Sequence, residues 1–177
     1  MSKYELGVFI TIFAASVSRG MEIKMISIVI EDNLFVTSNS NLISTTFYIR
    51  YNDRVFPNDG WTDFTFPILE EWKNNLVSIR NSNNIKTRLY FHDGPFWLEV
   101  EKDKNGKLRT ECICDRTVRK SELTIYCEYD EFLECIYSAM KAFLKVLYKN
   151  EMQEGEFSSI YRQTVLSIKE LKKILKQ

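Results

Sequence analysis

Only one histidine, His92, occurs in the 177 residues of the chain. That scarcity removes metal sites built on paired histidines and weakens any Cys–His or Ser–His catalytic reading. Net charge is also missing, because 24 basic side chains face 24 acidic ones. Phosphate binding wants a basic surface, so nucleic acid is not expected as the main partner. No Gly-rich phosphate loop, nucleophile elbow or dinucleotide fingerprint is present. Internal repeats, low-complexity tracts and segments too poor in aliphatic residues to fold are lacking as well. Catalytic residues, metals and cofactors are accordingly not expected.

What is present suits one folded unit. A chain of this length can bury about two-thirds of its unfolded surface, so it needs no disulfide or metal for stability. The charge is unevenly spread: from Ile136 onward the chain carries net +4, leaving net −4 on the first 135 residues. Such a split marks either an acidic binding face or ordinary solvated helix faces. Four cysteines occur, Cys112, Cys114, Cys127 and Cys135. Cys112 and Cys114 alternate along a strand pattern without a second pair at zinc-ligand spacing, so all four are read as reduced thiols packed as small apolar groups.

Residues 1–20 form an apolar N-terminal extension. Leu6 to Val17 follows Lys3 and ends in Ala14-Ala15-Ser16-Val17-Ser18, a pattern shared by secretion signals, by packed helices and by an extension upstream of a natural start. The run is too short to span a bilayer as a helix. A single α+β domain over residues 21–177, located in the cytoplasm, is the expectation, with secretion left open.

Alternation places strands at Ile26, Ile28 and Ile30, continued or extended by Leu34-Phe35-Val36, and at Ile43 to Tyr51. Glu31-Asp32-Asn33 reads as a turn, and Asn52 to Asp63 as a loop. A helix follows, with Thr65 or Asp63 as cap, Pro67 in the first turn, and Glu70 and Glu71 near the positive dipole end. Its stripe is Ile68, Leu69, Trp72, Leu76 and Ile79, and Asn81-Ser82-Asn83-Asn84 ends it.

The next segment specifies its own pairing. Asp93-Gly94 predicts a two-residue type I′ turn. Closing it sets Phe91 opposite Phe96, Leu89 opposite Leu98 and Thr87 opposite Val100 on an apolar face. Tyr90 meets Trp97, Arg88 meets Glu99 and Lys86 meets Glu101 on the other. A one-residue slip would ruin both faces. A three-residue loop Lys104-Asn105-Gly106, with Gly106 left-handed, then sets Val100 opposite Thr110, Leu98 opposite Cys112 and Phe96 opposite Cys114. Leu123, Ile125, Cys127 and Tyr129 line one face of a fourth strand. Two helices close the chain. The first, about Asp130 to Glu151, is apolar over a wide arc; the second, capped by Ser158 or Ser159 after Gly155, carries a narrower stripe including Ile160, Thr164, Ile168 and Leu171. The fold class is α+β, an antiparallel meander with helices packed on one face.

Two sets of residues invite a functional reading. Asp59, Asp63, Glu70 and Glu71 cluster in sequence around the first helix start; with His92 they could form an acid/base or ligand cleft, or simply cap the helix and oppose its dipole. Tyr90, Trp97 and Tyr126 lie on the sheet face away from the predicted helical layer, with Ile113 nearby. They form a recognition surface unless the N-terminal strands or the 65–80 helix cover them.

The segments Asn58-Asp59-Gly60-Trp61-Thr62-Asp63-Phe64, running into a helix with Trp72, and Phe91-His92-Asp93-Gly94-Pro95-Phe96 resemble small bacterial proteins similar to immunity proteins of polymorphic or contact-dependent toxin systems. The likeness covers about residues 44 to 100, and the long extension before Met21 departs from it. The resemblance implies a non-enzymatic module that binds another protein, a cognate toxin, stoichiometrically. The acidic main domain would suit a basic nuclease toxin, and candidate contacts are Tyr90, Trp97, Glu99 and Glu101, and secondarily Asp59 and Asp63. The alternatives are an enzyme or small-ligand binder using Asp59, Asp63 and His92, and a homo-oligomeric subunit with the final helix as its seam. The oligomeric state is not legible.

Overall fold

A computed structural model describes residues 25–37, 42–80 and 85–177. The predicted N-terminal extension and the Asn81-Ser82-Asn83-Asn84 helix stop lie outside them. Among the described residues no helix is long and apolar enough to cross a membrane. The class is α+β, as expected, but the described strands divide between two antiparallel sheets.

The first sheet is built on β2 (Leu42–Tyr51), with β1 (Ile26–Thr37) on one side and β3 (Arg54–Phe56) and β4 (Thr62–Phe64) on the other. The loop predicted over residues 52–63 therefore contains two short strands. Asn52, at φ 56°, lets the chain reverse within two residues and set Arg54 opposite Tyr51. Glu31-Asp32-Asn33 is a register irregularity inside one long strand, not a turn. There Asn33 replaces the missing ladder bonds, accepting from the Thr46 N–H at 2.9 Å and donating to the Thr46 hydroxyl at 2.6 Å.

The second sheet is the meander β5 (Lys86–Tyr90), β6 (Phe96–Lys102), β7 (Lys107–Asp115) and β8 (Arg119–Glu128). Both predicted registers hold: Leu89 pairs with Leu98, Arg88 with Glu99, Leu98 with Cys112 and Phe96 with Cys114. Gly106 takes φ 83° and Asp103 accepts from the Asn105 and Lys107 N–H groups, which closes the three-residue loop. The turn type at Asp93-Gly94 differs from prediction. A type I′ turn needs positive φ at both residues, and of the pair only Gly94, at 78°, has it.

Among the described residues, α1 (Thr65–Arg80) and α2 (Tyr129–Lys149) pack against the sheets, and α3 (Ser158–Ile174) packs on α2 and α1. The predicted stripe of α1 is buried throughout. Its start differs from prediction: the Thr65 hydroxyl bonds that of Thr45 at 2.7 Å, and no acidic residue lies in the first turn, since Glu70 and Glu71 fall one turn later. Tyr129, predicted on the fourth strand, opens α2, where Glu128 and Glu131 form a capping box. Neither Ser158 nor Ser159 caps α3, whose N-cap position is Phe157; Ser158 accepts from Arg162 at 3.0 Å instead. The α3 stripe is used within the chain, with Thr164, Ser167 and Leu171 buried and Ile160 and Ile168 packed against the core.

Six aromatic rings join the two sheets. Phe47 and Phe56 from the first sheet meet Phe91 and Phe96, which flank the β5–β6 turn, with Trp72 of α1 and Trp61 at the margins, all edge-to-face at 5.0–5.8 Å. The outer strands of the second sheet are also closed off as pairing templates. On β5, Trp72 Nε1 donates to the Tyr90 carbonyl at 2.8 Å and Asn75 to that of Arg88 at 3.1 Å. On β8, Arg54 donates to the Glu122 carbonyl and the Tyr51 hydroxyl to that of Tyr126. Side chains from neighbouring elements thus occupy edge groups that would otherwise invite another strand.

All four cysteines are free. Burial pushes the Cys127 and Cys135 thiols up to about 12, and raises Cys112 as well, so they pack as uncharged small groups. One buried hydroxyl, Thr110 Oγ1, has no partner among the described residues. Replacing Thr110 by the isosteric valine removes that unmet polar group and is expected to stabilise the fold by about 1 kcal/mol, read by urea denaturation. A loss of stability would mean that the hydroxyl has an unseen partner.

Candidate functional site

The carboxylates grouped by sequence take different partners, although Asp63 and Glu71 both reach His92. Asp63 is 2% exposed and accepts backbone N–H bonds from Phe64 at 2.7 Å, His92 at 3.1 Å and Asp93 at 3.1 Å. Burial pushes its carboxyl above the ordinary value, against the opposing pull of the Phe64 and Asp93 N–H groups and the Trp61 indole. It therefore neither caps α1 nor offers an oxygen to a partner; it pins the β5–β6 turn to the chain entering α1. Spending the Asp93 N–H on this carboxylate accompanies the departure from type I′ geometry. Gly94 is needed beside it, because a Cβ there would lie 2.8 Å from the Phe96 ring and 3.2 Å from Trp61.

Asp59 is exposed and faces Tyr48, whose phenol is pushed up by burial and then by this carboxylate. Glu71 pairs with His92 Nε2 at 3.1 Å. Glu70 turns to α3, where it accepts from Ser167 at 2.8 Å and pairs with the buried Lys73, which also reaches Glu170 at 2.7 Å. Burial opposes the charge on Lys73, but its bonds to Glu170 and Glu70 outweigh that and raise its pKa. Each acid thus has a separate local task, and among the described residues no group of three His, Cys, Asp or Glu is placed to hold a metal. Of the residues expected in a cleft, Asp63 is committed to backbone amides, including that of His92, and the His92 imidazole to Glu71 of α1.

The two segments that carried the family resemblance do meet. Trp61 packs edge-on against Phe96 at 5.0 Å, and Asp63 bridges to His92 and Asp93. Their contact is architectural, holding the hairpin whose strands present the sheet's outer face.

On that face the aromatics predicted to point outward are accessible. Tyr90 is 41% and Tyr126 57% exposed, with Trp97 half-buried and tilted against Tyr90 at 6.3 Å. Ile113, expected beside them in the open, is buried. The strand register sets the charges in rows. Arg88, Glu99 and Glu111 lie side by side, and Lys86, Glu101 and Arg109 form the next row. They line a half-open groove of about 480 Å³ together with Arg119.

Like charges directly opposite, as Glu99 and Glu111 are, repel; the arginines resolve this. Arg88 Nε at 3.1 Å and Arg119 at 2.7 Å both donate to Oε1 of Glu99, and both guanidiniums lie over the Trp97 ring, at 6.0 and 5.6 Å. Arg109 takes Glu111, and Lys86 takes Glu101 at 3.5 Å. The phenols stand beside these cations, Tyr90 by Arg88 and Tyr126 by Arg109, and favour their charged forms. The groove consequently carries four cationic and three anionic side chains, and Glu99 and Glu101 are paired within the chain. Arg119 escaped the sequence reading because the irregularity between Cys112 and Ile113 changes the β7–β8 register, and nothing in the local pattern announces it. No protein family matches the chain, and neither does any curated protein or solved structure.

Proposed function

We propose that the protein is a non-enzymatic binding module that engages another protein through the outer face of the β5–β8 sheet, acting as a stoichiometric, immunity-like inhibitor of a bacterial toxin. The observation that carries this reading is the open face itself, where Tyr90, Trp97 and Tyr126 stand among Arg88, Arg109 and Arg119. Trp, Tyr and Arg are the residue types that dominate interface energetics, because they bury large area while keeping a directed polar group. The ion pairs hold these side chains in place before a partner arrives, which lowers the ordering cost of association. The resemblance to immunity proteins supports the toxin as partner. An inhibitor of this kind needs no chemistry of its own, only a surface that covers an active site or locks an inactive conformation.

The test is affinity capture of the tagged protein from its native cells, with the double substitution Trp97→Ala/Glu99→Ala run in parallel. One protein retained at equal stoichiometry by the wild type, and bound at least about tenfold more weakly by the variant, is the expected result. An undiminished affinity would remove this face from the interface. Because both side chains lie outside the main core cluster, the variant should keep a wild-type unfolding midpoint, which the same preparation can verify.

A further inference from the structure

The charge arrangement on the outer face goes beyond a generic interface and indicates what kind of surface it accepts. Resting on the binding reading above, we infer that the groove around Trp97 receives an acidic segment of the partner, whose carboxylate docks on the Arg88–Arg119 pair. Three donors already converge on Oε1 of Glu99: Arg88, Arg119 and, at 3.4 Å, the Trp97 indole. A lysine or arginine from a partner would have to compete with two guanidiniums and an indole for that oxygen. A carboxylate meets the opposite situation. Each guanidinium has five N–H donors, and the contacts to Glu99 engage one nitrogen on each, while both side chains remain 52% exposed.

Glu99 thus works as a brace. It holds two cations side by side above an aromatic plane, with one negative charge against two positive ones. Among the groove's own side chains, the neighbouring pairs Lys86 with Glu101 and Arg109 with Glu111 are internally balanced, so the groove's surplus positive charge sits at this brace. Guanidiniums fixed in this way favour carboxylate recognition, which uses parallel N–H donors. Nucleic acid fits less well. A strand crossing the groove would lay successive phosphates beside Glu101 and Glu111, whereas a folded acidic segment can place its carboxylate at the brace alone.

The test titrates the full chain with labelled poly-L-glutamate, poly-L-lysine and a twenty-nucleotide thymidine oligomer at low salt, following anisotropy. Poly-L-glutamate should bind, and Arg119→Glu and Arg88→Gln should each weaken it by about tenfold, a loss typical of an interface anchor. Lys172→Glu, on the basic face of α3, should leave that affinity unchanged. Both arginines are exposed, so their variants should keep the wild-type unfolding midpoint. Loss of binding on Lys172→Glu and not on the arginine variants would move the acidic site to α3 and overturn the inference. Preference for the oligomer would overturn it in favour of nucleic acid. Binding of poly-L-lysine alone would overturn it while leaving a protein-binding face intact, and binding of none of the three would overturn it and leave the capture experiment to decide that reading.

Discussion

Asp63→Ala should lower stability by about 3 kcal/mol, because it strands three backbone N–H groups at a buried site, each worth about 1 kcal/mol or more when unmet. Those amides belong to Phe64, His92 and Asp93, so the loss falls on the joint between the start of α1 and the β5–β6 turn. Asp63→Asn keeps one accepting oxygen and should cost about half as much. Urea denaturation of the three proteins at pH 7 checks the order.

The pH dependence of the same pair has a definite sign. Burial raises the Asp63 carboxyl above 3.8 in the folded chain, so folding favours the protonated form. The corresponding contribution is fully present below the unfolded value and lost as pH rises through the native one. As pH falls from neutrality toward 3.8, the wild type should therefore gain stability relative to Asp63→Asn, which does not titrate. A wild type that loses ground to the asparagine variant on acidification would show that the amide donors, not desolvation, govern this carboxyl.

Trp72→Ala is expected to be the most damaging single change, at about 4 kcal/mol, the usual scale for deleting a fully buried indole. The ring is inaccessible and meets Phe47 of β2 at 5.4 Å and Phe91, just past the end of β5, at 5.2 Å. Its indole also donates to the Tyr90 carbonyl on the β5 edge. Trp72→Phe separates the two roles: it retains most of the ring contact and should cost about 1–2 kcal/mol for the unmet edge carbonyl and the smaller volume. Denaturation midpoints check both values. Near-equal costs for the two variants would mean that the hydrogen bond, not the packing, holds the junction. Because Tyr90 sits at the end of that bond, Trp72→Phe should also weaken partner capture more than its stability loss accounts for.

The legible and illegible features divide along one physical line. The β5–β6 and β6–β7 registers follow from period-two patterning, because each strand must satisfy an apolar and a polar face at once and neighbouring strands are joined by a few residues. The α1 stripe Ile68, Leu69, Trp72, Leu76 and Ile79 follows from helical periodicity in the same way. The turn at Asp93-Gly94 departs from the type I′ geometry for the complementary reason. Its backbone answers to Asp63, about thirty residues earlier, and no local pattern encodes such a partner.

The site repeats that division. That Tyr90, Trp97, Glu99 and Glu101 share a face was readable from alternation. That Glu99 is held by Arg88 and by Arg119, twenty residues away across an irregular ladder, was not. Alternation offers Glu99 as a contact, and the assembled sheet spends its charge on bracing two cations. Asp59, Asp63, Glu70 and Glu71, neighbours along the chain, were separated because the pleat and the helix send adjacent side chains in different directions. Local periodicity sets which face a residue occupies, whereas the partner it meets there depends on long-range packing, and that is where burial, charge pairing and the chemistry of the groove are settled.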